Sequence, residues 1–398
     1  MLWLAAALAA EPVPEPVAKP VGVTHWVVVP AMAFDQDDGF GAGARLEVSR
    51  MEPGFDPYRA AFVVHAFAST NGFHHHRLRF DLPQLGKHQN MRLMGHFAYR
   101  QWLNDGYWGM GNATTVDRAY DIDDVNDPRH KRYRYTLIQP FGRLSLRAEM
   151  GGPWSVYGSL AARWTRVDTY AGSLLEEEQP LGMKGGFSTQ LGGGVLYDTR
   201  QPELTPDTGL LLELGARVSP PLPTTEGEWA SALASVRAYQ ILGPKVVVAT
   251  RLMGEHMFGE IPFYDLITWG TYVPVLGFGG SDTIRGANFG RWRAPGKALF
   301  NTELRFDAWH QRVLKRDLRW QAVPFLDAGM VFGTEEEAVA DNTLPVHPSV
   351  GFGLHPTFDN TVTGRFDAAM GIDMVKEADG RITYEPNFGG YIVFDQLF

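Results

Sequence analysis

The side chains best placed to do chemistry in this sequence are one guanidinium and two carboxylates. Arg285 sits in a glycine-rich stretch, GFGGSDTIRGANFG, that begins at Gly277. Just after it, Lys297, Asn301, Glu303, Arg305 and Asp307 fall at alternate positions, with Ala298, Phe300, Thr302, Leu304 and Phe306 between them. Further on, Leu318, Trp320, Ala322, Pro324, Leu326, Ala328 and Met330 alternate in the same way, which turns Asp327 to the opposite side. A period of two marks a strand, because successive side chains leave a strand on opposite faces. Two adjacent strands with one apolar face each would therefore present Glu303 and Asp327 together on the polar side. A guanidinium engages carboxylates through paired, charge-assisted hydrogen bonds. Gly286 beside it lets the backbone turn tightly against a wall. That chemistry holds a loop in place and transforms nothing. We expect Ile284, Arg285 and Gly286 to lock onto Glu303 and Asp327; the alternative is a set of ordinary solvated charges.

Other chemistries find weaker support. The chain has no cysteine, which excludes a disulfide framework, a thiolate metal site and a thiol nucleophile. His96, His130, His256 and His310 are scattered, and no serine stands in a G-x-S-x-G setting, so no nucleophile with an orienting base is expected. His74 and His76 would share a strand face, but no carboxylate or further ligand accompanies them, so no metal and no cofactor is expected. Glu176-Glu177-Glu178 and Glu335-Glu336-Glu337 read as solvated loop charges. The net charge of −9 argues against nucleic acid as a partner.

The elements that must carry Arg285 and its carboxylates are strands throughout. Candidates run at 24–34, 39–50, 58–69, 74–84, 90–102, 132–148, 153–167, 188–199, 208–219, 228–240, 244–257, 296–307, 318–332, 347–357, 361–372 and 388–397. Each approaches or exceeds the roughly 10 residues that a tilted strand needs to cross a bilayer. No apolar run reaches the roughly 18 residues of a transmembrane helix. The links fall into two classes. Those at 51–57, 85–89, 149–152, 200–207, 241–243, 308–317 and 358–360 are short; those at 103–131, 168–187, 258–295, 333–346 and 373–387 are long. One-sided loop length is the habit of outer-membrane barrels and has no counterpart in a soluble sandwich. The expectation is an all-β, transmembrane antiparallel barrel of about sixteen strands over 24–398. A long external loop between the eleventh and twelfth strands would fold inward. Residues 1–10, MLWLAAALAA, read as a signal peptide, and 11–23 as a proline-rich periplasmic spacer. The last strand ends YIVFDQLF, with Ile392, Phe394 and the terminal Phe398 on one face.

Four motifs together resemble the BamA/TamA superfamily of outer-membrane assembly and translocation barrels. Ile284-Arg285-Gly286 is similar to its V/I-R-G-F/Y, and Phe325-Leu326-Asp327-Ala328-Gly329 to its F-x-D-x-G. Tyr197-Asp198-Thr199-Arg200 with Pro202, Pro206 and Gly209 resembles D-x-R-D-N-P…G. Tyr107-Trp108-Gly109-Met110-Gly111-Asn112 resembles F-Y-G-I-G-N. Ala287 departs from the pattern, since the family carries Phe or Tyr there, and Phe289 is the nearest aromatic. The family's insertases and transporters carry periplasmic POTRA domains before the barrel, and here the barrel is expected to begin close behind the leader.

The resemblance implies the bacterial outer membrane and a non-catalytic role in inserting or translocating protein. It implies contact with outer-membrane lipids, with unfolded outer-membrane protein or secreted clients, and with a separate periplasmic partner. A passive pore or a plugged structural barrel is the competing reading. Pro30 in the first strand cannot donate a ladder hydrogen bond, and the last strand contains Gly389-Gly390. The seam between those two strands is thus expected to be the weak one, open to an incoming strand.

Overall fold

A computed structural model describes residues 22–394 except 36–37, 56, 86–88, 123, 125, 223–224, 314–315, 335–345 and 359–361. The signal peptide, nearly all of the spacer, Glu335-Glu336-Glu337 and Phe398 lie outside those residues. Sixteen long strands follow one another. They are β1 (Val23–Asp35), β2 (Gly39–Met51), β3 (Ala60–Ser69), β4 (His74–Leu85), β5 (Met91–Gly106) and β6 (Arg134–Gly151). There follow β7 (Trp154–Thr169), β8 (Gly186–Asp198), β9 (Gly209–Ser219), β10 (Trp229–Gly243) and β11 (Val246–Gly259). The last five are β12 (Gly296–Val313), β13 (Arg316–Phe332), β14 (His347–Phe358), β15 (Val362–Lys376) and β16 (Ile382–Phe394). Each pairs antiparallel with the next. No helix among the described residues is long and apolar enough to cross a membrane.

Alternation decides which face meets lipid. On β12, Phe300, Leu304 and Phe306 point outward, while Lys297, Asn301, Glu303 and Arg305 are buried inside. The same holds around the sheet, with Trp26, Phe62, Leu78, Phe97, Leu160, Leu214, Leu252, Phe352 and Ile392 exposed on the outer face. In water such a continuous apolar surface would be a liability; against hydrocarbon it is required.

The interior is filled by the link 260–295, which carries a small hairpin of Thr268–Trp269 paired with Val275–Leu276. Inward side chains from β5 to β16 touch it, so the sheet wraps around this loop. Trp102 of β5 packs on Phe289 with ring centroids 5.5 Å apart. Tyr157 of β7 meets Tyr272 at 5.1 Å. Arg217 of β9 donates to the Thr268 carbonyl at 3.1 Å, and Lys297 of β12 to that of Leu266 at 2.8 Å. Tyr391 of β16 accepts from the Gly286 amide at 2.8 Å.

One expected link is wrong. The long connection read at 373–387 is a tight hairpin, because β15 runs on to Lys376 and β16 starts at Ile382. Glu377 N donates to the Arg381 carbonyl and Gly380 N to that of Glu377, with Gly380 at φ +84°. Ala378, Asp379 and Gly380 form a three-residue hairpin loop that closes on the left-handed Gly380, a common connection between antiparallel strands.

Candidate loop-to-wall site

The loop 260–295 reaches the wall at Arg285. Its Nε and Nη2 donate to the two oxygens of Asp327 on β13, at 2.8 and 2.9 Å, and its backbone amide adds a third bond at 3.1 Å. Nη1 donates to Glu303 on β12 at 3.0 Å and to Asp367 on β15 at 3.2 Å. The guanidinium carbon lies 3.3 Å from the centroid of the Phe325 ring, so one planar cation is forked on carboxylates and stacked on an aromatic face. Arg285, Glu303 and Asp327 are fully buried.

Neighbours complete the set. Arg305 donates to Glu303 at 2.8 and 3.0 Å. Asp367 takes hydrogen bonds from Arg365 at 3.1 Å and lies 2.8 Å from His355 Nε2. Asn301 bonds Asp327 and the Thr283 carbonyl, both at 2.7 Å. Ser349 donates to the Arg285 carbonyl. Three carboxylates thus face three arginines in a site closed to solvent, with the lone pairs of each acid engaged.

Two glycines make this approach possible. Gly286 has φ +90°, and a Cβ on it would lie 2.5 Å from the Gly371 amide nitrogen of β15. The loop backbone therefore lies directly on the wall backbone. A Cβ on Gly329 would meet Phe278 at 2.6 Å and Ile284 at 3.0 Å. Its absence leaves room for the apolar side of the loop, where Ile284, Phe278, Trp292, Leu299 and Val331 form a buried cluster.

The segment after β5 braces the same loop from above. The Gly111 amide donates to the Arg293 carbonyl at 2.8 Å, and Gly109 and Gly111 hold φ of +87° and +111°. Asn112 accepts from the Val331 amide at 2.9 Å and lies 3.1 Å from His347, on which Trp292 stacks at 3.8 Å. Arg291 forks onto Asp373 of β15 at 2.8 to 3.1 Å. Tyr107 donates to Glu178 at 2.6 Å, and burial together with that bond raises the pKa of its hydroxyl. Glu176 and Glu177 are likewise used locally, on the Gly172 amide and on Arg132.

The other sequence motifs sit elsewhere. Asp198 and Arg200 form a paired bridge at 2.9 Å at the opposite end of the barrel, and Gly209 at φ +100° brings its backbone against Thr199. Ile392 faces outward and Phe394 ends β16. Phe289 does not take the place of an aromatic at 287: Ala287 is buried near Gly371, while Phe289 packs on Trp102 and under Arg100, 5.7 Å from its guanidinium. Among the described residues no group of three or more His, Asp or Glu could hold a metal ion.

Asp367, Asp373 and Tyr391 belong to this loop-to-wall site and were missed by the reading of the sequence. All three were accessible to the alternation that placed Asp327: Arg365, Asp367, Gly371 and Asp373 share one face of β15, and Tyr391 is opposite in phase to Ile392.

Residues 52–390 match the Omp85 superfamily domain. No curated protein matches the chain in sequence. Among solved structures, BamA from Haemophilus ducreyi lacking POTRA domains 1–3 is similar, at 15% identity and a TM-score of 0.54, over 94% of this chain and 70% of that one. CdiB from Escherichia coli aligns at 12% identity and a TM-score of 0.60, over 93% of this chain and 62% of its own length. At those identities the structures speak to the fold, which they share. The domain match covers most of the sequence, and the chain belongs to the Omp85 superfamily of Gram-negative outer-membrane β-barrels.

Proposed function

We propose that this barrel inserts polypeptide into, or passes it across, the outer membrane, with loop 260–295 as a resident plug held at Arg285. The observation that supports this most is the construction of the lock. A passive pore gains nothing from a lumen filled by its own loop. Among the anchors of the plug, Arg285 alone ties it to three strands at once, which makes that residue the natural point for its release to be controlled. The seam between β1 and β16 is the proposed lateral route. Pro30 in β1 has no amide to donate to a neighbouring strand, and Gly389 and Gly390 give β16 little side-chain packing. Outer-membrane lipids, unfolded outer-membrane protein or secreted clients, and a separate periplasmic partner are the proposed company, and residues 1–10 the proposed export signal.

The test is reconstitution of the purified barrel into liposomes, timing the folding of an added unfolded outer-membrane protein against empty liposomes. Acceleration that disappears when β1 is cross-linked to β16 is the expected result. No acceleration would leave a plugged structural barrel, in which the many bonds between loop and wall serve only to keep the lumen shut.

A further inference from the structure

At the mouth opposite the long loops, the turn between β8 and β9 does not hang free. It folds across the opening. Glu203 pairs with Arg92 on the inner face of β5, and Arg92 is itself forked on Asp81 at 2.5 and 2.8 Å. Tyr58, from the turn between β2 and β3, donates to the same Asp81 at 2.5 Å. Four residues beyond Glu203, Asp207 accepts from Arg319 on the inner face of β13 at 3.3 and 3.4 Å. Arg319 in turn bonds Asp307 of β12 at 2.6 Å.

In the sixteen-strand order, β5 and β13 stand eight places apart, which in a closed ring is opposite sides. A single turn rooted between β8 and β9 therefore bonds to two wall strands that stand eight places apart. The turn is internally braced: Gln201 and Thr208 bridge, the Asp207 amide donates to the Gln201 carbonyl at 3.1 Å, and Thr205 and Pro206 are buried. Its root is fixed as well, because Asp198 is held by Arg200 at 2.9 Å and by Arg147 of β6 at 3.5 Å. Arg147 also lies over Tyr272, the inward tip of the plug, at 6.0 Å. No bond of this set involves Arg285 or its carboxylates.

We propose that the β8–β9 turn is a second closure, a bar across the periplasmic mouth held by Glu203–Arg92 and Asp207–Arg319. The lumen then has two gates with separate latches. Releasing the plug at Arg285 leaves the far mouth barred, and opening the bar leaves the plug in place. This holds whatever the barrel carries, so it does not depend on the insertion reading.

The test is single-channel conductance in planar bilayers, with each variant first shown to be a folded barrel by its heat-dependent shift in gel mobility. Four proteins are compared: the native chain, R285A, E203Q/D207N, and the combination. We expect little current from the first three and a several-fold larger current from the combination. A full opening in R285A alone, or a combination no more conductive than R285A, would overturn the proposal. A second measurement covers the case in which the combined variant does not fold. The chain lacks cysteine, so D207C/R319C in the R285A/E203Q background, where both latches are broken, can be bridged by a short bis-maleimide. Current should be high before bridging and low after it; equal current in both states would equally defeat the idea.

Discussion

Replacing Arg285 by alanine removes one cation from a site with three acids. Asp327 loses both forked bonds and keeps Asn301 and the backbone amide of residue 285. Glu303 keeps Arg305, and Asp367 keeps Arg365 and His355. Breaking a buried pair by deleting one partner generally destabilises by about 3–5 kcal/mol, because the partner's charge is left unpaid for in low dielectric. With two of three carboxylates still paired, the lower end applies, so the loop should lose about 3 kcal/mol of its anchoring. At about 1.4 kcal/mol per tenfold, the population with the loop detached should rise on the order of 100-fold. Amide hydrogen exchange read by mass spectrometry over residues 277–291 measures that population directly. Exchange there should quicken by about that factor, while the outward-facing strands of the wall exchange as before. Arg285→Lys sharpens the test, since a lysine keeps the charge but cannot fork onto Asp327 while reaching Glu303 and Asp367. It should fall between the native chain and Arg285→Ala. Unchanged exchange in both variants would refute the idea that Arg285 holds the loop.

Asp327→Asn keeps shape and loses the forked charge pair, and should speed the same exchange by a smaller factor than Arg285→Ala. Gly286→Ala meets both a φ of +90° and a Cβ 2.5 Å from the Gly371 nitrogen. It should displace the loop and destabilise it by about 1 kcal/mol or more, visible as protease cleavage between 277 and 291. Tyr391→Phe leaves the Gly286 amide without its partner, a loss of about 1–3 kcal/mol for a buried group, and the loop should again exchange faster. Glu177→Gln, which removes an exposed pair with Arg132, should change neither exchange nor unfolding in denaturant, and serves as the control.

Most of the wall was legible because membrane strands must alternate. Lipid on one side and a polar, packed interior on the other leave each position a binary choice, as Phe300 against Glu303 and Leu326 against Asp327 show. The path of the plug was not legible in the same way. Its contacts join residues as distant as Arg291 and Thr114, or Gly286 and Tyr391, and no local periodicity encodes such pairings. Asp379-Gly380 was readable and was passed over, because polar residues around it looked like an external loop. Asp367 and Asp373 were also readable, but only once β15 had been phased against its own apolar face.

The lock has a consequence for the charge of the passage. Seated, the plug brings Arg285 to a patch where Glu303, Asp327 and Asp367 are met by Arg285, Arg305 and Arg365, three against three. The acids and two of the arginines belong to the wall; the third arginine belongs to the loop. A loop that left would take that cation with it, and the three carboxylates of this patch would keep two of their three arginine partners. Plugged and unplugged barrels would therefore differ in charge at this patch as well as in bore: Asp327, whose one ion-pair partner here is Arg285, is the acid that the loop neutralises on return.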